Sequence, residues 1–327
     1  MRRQKPLAAI VGLLGALVWL SVPLVTSGCL GGAEDGYAIH VYTRSDACGA
    51  AATWADYLGG YAQEDLRGTA IYGDPGLAEA VKRDRLGIGF NNLNYVYDMQ
   101  TGLQLSGLRV VPVDIDGNGS IDVQEDFYAT KDQLTQAIAD GLYPSPPARN
   151  LHFVTRESFG PLSEAFIRWV LIEGQQYCDE VGYIPLTEAE VSEELAKLGD
   201  AQPPEDLDGK ISISGAWALY PMTVRWAEEF RKAYPRVTFD ISAGGAGKGM
   251  ADALAGLVDI GMVSRQIYPV EIESGAFWAS VTRDAVVPVM NAENPLLEEI
   301  LTTGMQRQAL ADIWITASLT DWRDISN

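Results

Sequence analysis

Short apolar runs in this chain are repeatedly followed, after a turn of small residues, by a stretch with helical spacing. That rhythm constrains the fold more than any other feature. IHVYT (39–43) precedes a helix predicted near Thr53 to Leu58, and TAIYG (69–73) precedes one from Leu77 to Lys82; GIGF (87–90) and RVVPV (109–113) follow. The second half repeats the pattern: KISISGA (210–216) leads to a helix across Met222 to Ala233, VTFDIS (237–242) to one near Met250 to Leu257, and then comes DIGMVS (259–264). Strands alternating with helices call for α/β layers with mainly parallel sheets, because parallel neighbours need a crossover and a helix supplies it while covering the sheet. Phe166, Trp169, Val170 and Tyr177 share one helical face and read as core. Breaks fall at Gly141 to Pro147, with its Pro-Ser-Pro-Pro run, and at Gly199 to Asp208, where Pro203-Pro204 sit among acids; the stretch 200–208 reads as a linker.

The charge balance removes one class of function. Lys and Arg number 24 against 44 Asp and Glu, a net charge of −20, and binding to phosphodiester backbones needs clustered cations instead. A hydrophobic fraction of 47% is that of a folded protein. His40 and His152 lie far apart in sequence and offer little for His-based metal or acid–base sites. Cys48 and Cys178 either pair or remain separate buried thiols. At the start, Arg2, Arg3 and Lys5 precede an apolar stretch from Leu7 to Val25, followed by Thr26-Ser27-Gly28-Cys29. This reads as a lipoprotein signal over residues 1–29, with Cys29 acylated, and as an uncleaved membrane anchor in the alternative. Either way the remainder works outside the cytoplasm, anchored to the outer face of the cytoplasmic membrane or periplasmic, and no second apolar run reaches membrane length.

Three strand-to-helix turns offer anion chemistry. Gly244-Gly245-Ala246-Gly247-Lys248-Gly249 lets backbone N–H groups converge at a helix start. It is not a Walker loop, since Ser242 replaces the first Gly and Gly249 the Ser or Thr that would hold magnesium. In YTRSDACGAAATWADYL (42–58), Arg44 and Asp46 leave a strand and Gly49 opens a helix, so a guanidinium faces free helix N–H groups. Ala218, Leu219 and Tyr220 of ISGAWALYP (213–221) form the third turn. A tight turn, an N-cap and ordinary Trp/Tyr packing are the respective structural alternatives.

Taken together, these stretches resemble the phosphate-binding proteins of ABC importers, within the two-lobed periplasmic binding proteins. The family's Gly-Ala-x-x-Phe-Pro, Gly-Ser-Gly, Val-Asp-Phe-Gly and Arg-x-Asp-Gly-Ser-Gly-Thr motifs are similar to Gly215 to Pro221, Gly245 to Gly247, Val258-Asp259-Ile260-Gly261 and Arg44 to Ala50. TDWRDI (320–325), GIGF (87–90) and VGYIPL (181–186) extend the resemblance over nearly all of the chain after the signal. It implies a type II binding-protein fold, an oxyanion ligand, an ABC permease as partner, and a monomer without enzymatic activity.

The order of the motifs is not the family's. Its opening motifs begin near Gly209, after its closing ones end near Leu186, and TDWRDI stops at the C-terminus. A circular permutation accounts for this, with 209–327 as the family's first half and 36–200 as its second; a fragment of a tandem array is the rival account. Permutation implies one lobe from 36–104 plus 291–327 and another over 105–290, joined by two hinge crossings around a ligand cleft.

Carried over residue by residue, the site comprises Arg44, Asp46, Cys48, Gly49, Ala50, Ala218, Leu219, Tyr220, Gly245, Ala246, Gly247, Lys248, Ser264 and Arg265. Cys48 replaces a Ser, Ala50 and Leu219 each a Thr, and Ala246 a Ser, so four hydroxyl donors are missing. Ser264 falls where the family often has an Asp acceptor. Lys248 and Arg265 are expected to add positive charge. Phosphate leads as ligand, followed by sulfate, molybdate or tungstate.

One further motif is independent of the family. DIDGNGSIDVQE (114–125) places Asp114, Asp116, Asn118, Ser120, Asp122 and Glu125 at positions 1, 3, 5, 7, 9 and 12, with Gly119 at 6, as a calcium loop requires. RVVPV before it looks like a strand, so a single structural Ca²⁺ loop is expected rather than an EF-hand pair. Two other functional classes remain. One is an enzyme on phosphorylated substrates, for which only Cys48 at a helix start offers a nucleophile. The other is a calcium-stabilised adhesion or sensory module that has lost its ligand.

Overall fold

The computed structural model describes residues 35–199 and 206–325. The signal segment with Cys29 and most of the 200–208 linker lie outside the described residues. The account that follows concerns the compact unit that starts at Tyr37.

Among the described residues nine strands are formed: β1 His40–Arg44, β2 Thr69–Ile71, β3 Gly87–Asn92, β4 Leu108–Val110, β5 Ala148–Arg156, β6 Gly209–Gly215, β7 Val237–Ala243, β8 Ile260–Val263 and β9 Ala276–Asn291. The helices are α1 Gly49–Gly59, α2 Gly73–Arg83, α3 Lys131–Ala139, α4 Pro161–Ile172, α5 Glu188–Leu198, α6 Tyr220–Ala233, α7 Ala246–Leu254, α8 Pro269–Glu273, α9 Leu297–Thr303 and α10 Arg307–Ala311. Local chemistry sets several boundaries. Cys48 caps α1, its Sγ accepting from Ala51 N at 3.4 Å, and Gly60 ends the helix with φ 79°. Thr130 with Gln133 and Thr187 with Glu190 form capping boxes that start α3 and α5.

The strand order is β2-β1-β3-β9-β5-β8-β6-β7, with β4 also on β9. β1 pairs in parallel with β2 and β3, and β6 with β7 and β8, as the alternation of strands and helices predicts. Between these two groups run β5 and β9, which pair with each other and with their outer neighbours in antiparallel fashion.

Apolar packing forms two cores. The first gathers Ile39 to Ala148 with Ala285 to Trp322, and Trp54, Phe90 and Trp314 meet within it at ring-centroid distances of 5.5 to 6.1 Å. The second gathers Leu151 to Tyr183 with Leu186 to Val281. Residues 108–148 and 285–290, assigned from the sequence to the lobe spanning 105–290, pack in the first core instead. The physical reason is the pairing of β4 with β9 and the burial of Phe127, Tyr128, Leu134 and Tyr143 against that side. The two strands that pass from one core to the other are therefore β5, between Ala148 and Leu151, and β9, between Val281 and Ala285.

The start and the end of the described unit adjoin. Ile39 N donates to Thr320 O at 2.8 Å, Ala38 forms an antiparallel bridge with Asp321, and the Arg323 guanidinium stands 4.9 Å over the Tyr37 ring.

Candidate functional site

The three strand-to-helix turns meet. β1 delivers Arg44 and Asp46 to the head of α1, β7 delivers Gly245 to the head of α7, and β8 delivers Ser264 beside both. Gly247 N donates to Ala47 O at 3.0 Å. A Cβ on Gly49 would lie 2.1 Å from the Ser264 carbonyl oxygen, and one on Gly245, which has φ 95°, would lie 2.6 Å from Ala47 O. Glycine is required at both places because the backbones of the two cores touch there. The third turn closes the same region from α6: Tyr95 Oη donates to Trp217 O at 3.2 Å, Tyr183 Oη to Ala218 O at 2.5 Å, and the Tyr72 and Trp217 rings pack edge-on.

Arg44 is the electrostatic centre. Its Nε and Nη2 donate to Asp46 Oδ1 and Oδ2 at 2.8 and 2.7 Å, and Nη1 lies 2.8 Å from Asp74 Oδ2, close enough for an ion pair but not aligned for a hydrogen bond. Burial works against the guanidinium charge, but Asp74, Cys48 and Asp46 outweigh it and hold the pKa above the ordinary value. One cation against two carboxylates leaves about one negative charge, which the N-termini of α1, α6 and α7, each worth roughly half a positive charge, offset.

The other expected residues divide into two groups. Asp46, Cys48, Gly49, Ala50, Gly245, Ala246, Gly247 and Ser264 are brought together at the contact described. Gly49 and Ala50 stand in the first turn of α1, where amides have no intrahelical acceptor. Leu219 is fully buried in the second core and its amide is used by Ala216 O; Tyr220 N is likewise shared between Ala216 O and Trp217 O. Lys248 and Arg265 correct the expectation that they add charge. Lys248 is half-exposed and paired to Asp252, while Arg265 forks onto Glu271 with a shortest contact of 2.6 Å and stacks 4.0 Å over Tyr268. Cys48 is not an activated nucleophile: burial, against the lowering effect of Arg44, pushes its thiol up to about 12. Cys48 and Cys178 are both free and lie in different cores.

Sequence reasoning missed the polar network behind Arg44. Asn92 Nδ2 donates to Asp74 Oδ1 at 2.7 Å. Arg149 joins Asn92, Thr53 Oγ1 at 3.0 Å and Asp284 Oδ1 at 2.9 Å, all beside the crossings of β5 and β9. Asp284 could have been found, since an acid inside a long apolar run needs a buried partner. Open space between the cores lies beside α1: one cavity of about 610 Å³ is lined by Thr53, Arg149, His152 and Arg283, and another of about 330 Å³ by Ala52, Tyr61, Arg265 and Tyr268. In the 114–125 loop, Asp114, Asp116 and Glu125 converge, with one oxygen from each within 4.8 Å of the others.

Comparison with known proteins agrees with the motifs. Residues 200–327 match the PBP superfamily domain. Phosphate-binding protein PstS 2 of Streptococcus agalactiae is 28% identical over 200 residues, covering 60% of this chain and 61% of that protein. Its namesake in Streptococcus pneumoniae is 28% identical over 189 residues, 58% of each. The match thus spans about three fifths of the length of these relatives. The crystal structure of a phosphate-binding protein of a phosphate ABC transporter from Streptococcus pneumoniae superposes with a TM-score of 0.57 at 22% identity, over 88% of this chain and 99% of that one, and so shares the fold. Residues 200–327 thus match the PBP superfamily domain, about three fifths of the chain is similar in sequence to the phosphate-binding proteins PstS 2, and its fold is that of the phosphate-binding protein of a phosphate ABC transporter.

Proposed function

We propose that this chain is an extracytoplasmic solute-binding receptor of an ABC importer, capturing an oxyanion, phosphate first, between its two cores and passing it to a permease. The observation that carries this reading is the meeting of the Arg44–Ala50, Gly245–Gly247 and Ser264 turns, drawn from distant parts of the chain, at one backbone contact. The names of the relatives support it. Bending of β5 and β9 opens the contact, releases Gly247 N from Ala47 O, and presents it with the first-turn amides of α1 and α7 to an anion. The anion oxygen then takes the place of the Ala47 carbonyl at the head of α7.

The acids nearby set the preference. Asp46 and Asp74 repel a fully ionised oxyanion and accept a hydrogen bond from a protonated one, which favours phosphate over sulfate, molybdate and tungstate. A buried thiol form of Cys48 supports a binder rather than an enzyme. The acylated Cys29 would tether the receptor to the membrane, and no helix among the described residues is long and apolar enough to cross one. The permuted order is part of the same reading, supported by the adjoining ends at Ile39 and Thr320.

The full neutralisation of Arg44 and the four lost hydroxyls favour a second reading, a two-lobed module that has given up its ligand. Calorimetric titration of the chain from Cys29 onward with phosphate, sulfate, molybdate and tungstate separates the two. Heat with phosphate, weaker or absent with sulfate, is expected. Heat with sulfate alone removes phosphate from the account, and no heat with any of the four leaves only the second reading.

A further inference from the structure

The 114–125 loop is held in shape by its own acids. Asp114 Oδ1 accepts from Gly117 N at 2.8 Å and Oδ2 from Gly119 N at 2.9 Å; Asp116 Oδ1 accepts from Asn118 N at 3.0 Å; Glu125 Oε1 reaches back to Ile115 N at 2.7 Å. Gly117 and Gly119 have φ of 77° and 82°, which turn the chain around a common centre. An acidic loop satisfied in this way needs no ion. A second feature is not explained by loop geometry: Glu125 is only 6% exposed, and its Oε2 is buried without a hydrogen-bond partner. Asp114 is 3% exposed, and among the described residues no salt bridge reaches Asp114, Asp116, Asp122 or Glu125. Carboxylates buried together without a counter-charge are costly unless a cation joins them.

We propose that this loop binds one Ca²⁺ through Asp114, Asp116, Asn118, Ser120, Asp122 and Glu125, with Glu125 Oε2 completing the shell. The donors are all oxygens, and their number suits calcium better than the smaller, strictly octahedral magnesium. The site also braces a distant part of the chain. Ile121 N donates to Thr302 O at 2.8 Å, Asp114 N to Met305 O at 3.2 Å, and Gln306 Nε2 to Asp114 Oδ2 at 3.2 Å, so the loop is stitched to the segment joining α9 and α10. Calcium therefore fixes residues 302–306 along with the loop.

Calcium titration by calorimetry, on the chain from Cys29 onward after chelator treatment, tests this. The expected result is one site per chain, with magnesium binding about ten-fold more weakly or worse and Glu125→Gln losing about ten-fold or more in affinity. Amide exchange at 113–125 and at 302–306 slows together on adding calcium. Saturating calcium raises the melting temperature by roughly 5 °C. If Glu125→Gln does not fold, the exposed Asp116→Asn gives the same reading with a smaller loss. No calcium heat, or equal affinity in a folded Glu125→Gln variant, overturns the proposal, as does exchange at 302–306 that ignores calcium.

Discussion

Arg44 is the residue on which the packing of the site depends most, because it is the counter-charge for two buried acids. Arg44→Met leaves Asp46 and Asp74 uncompensated and is expected to lower stability by about 3–5 kcal/mol in denaturant unfolding, whereas a neutral effect would mean that the acids find other partners. Gly49→Ala is expected to act differently. Its Cβ meets Ser264 backbone, so the closed contact is strained while each core stays intact, and solution scattering should show a more open molecule with the melting temperature changed little. The motif from Arg44 to Ala50 was legible in the sequence because its chemistry is local. Asp74, Arg149 and Asp284 were not, since each is an ordinary charge until the fold brings them together. The free charge expected of Lys248 was a misreading with a visible cause: Asp252 stands four residues on, along the same helix face.

Among the strands, sequence patterning failed to find two, β5 and, at greater length, β9. β9 is buried on both faces over most of its length, so it has no period-two alternation to betray a strand, unlike the short strands bounded by turns. Its partner β5 carries His152, whose imidazole is pushed down to about 3 from 6.5, first by burial and then by Lys197, Arg149 and Arg265. In the unfolded chain the ring takes up a proton near 6.5; in the fold it does not until much lower pH. The stability it confers is therefore complete above pH 6.5 and is lost as pH falls toward 3, at up to about 1.4 kcal/mol per pH unit. His152→Gln should flatten the acid limb of a stability–pH curve by that slope. An unchanged limb would mean that the ring is protonated in the fold.

For the whole molecule, two cores are linked by β5 and β9, the crossings at which the proposed capture would hinge. The composition and the α/β rhythm made the class readable, but the lobe boundary was not, because 108–148 joins the first core through pairing with β9 rather than through its neighbours in sequence. A chain opened within 200–205 and rejoined by a short linker from residue 325 to residue 37 should fold with a melting temperature close to the parent's; failure to fold would argue against the permuted reading. The most direct test of the central claim is a crystal structure of the chain from Cys29 onward grown with phosphate. The account predicts a tetrahedral anion between Arg44 and the heads of α1 and α7, with Gly247 N turned from Ala47 O to the ligand. Phosphate bound elsewhere, or the Ala47–Gly247 contact preserved beside an anion that does not touch it, would contradict it.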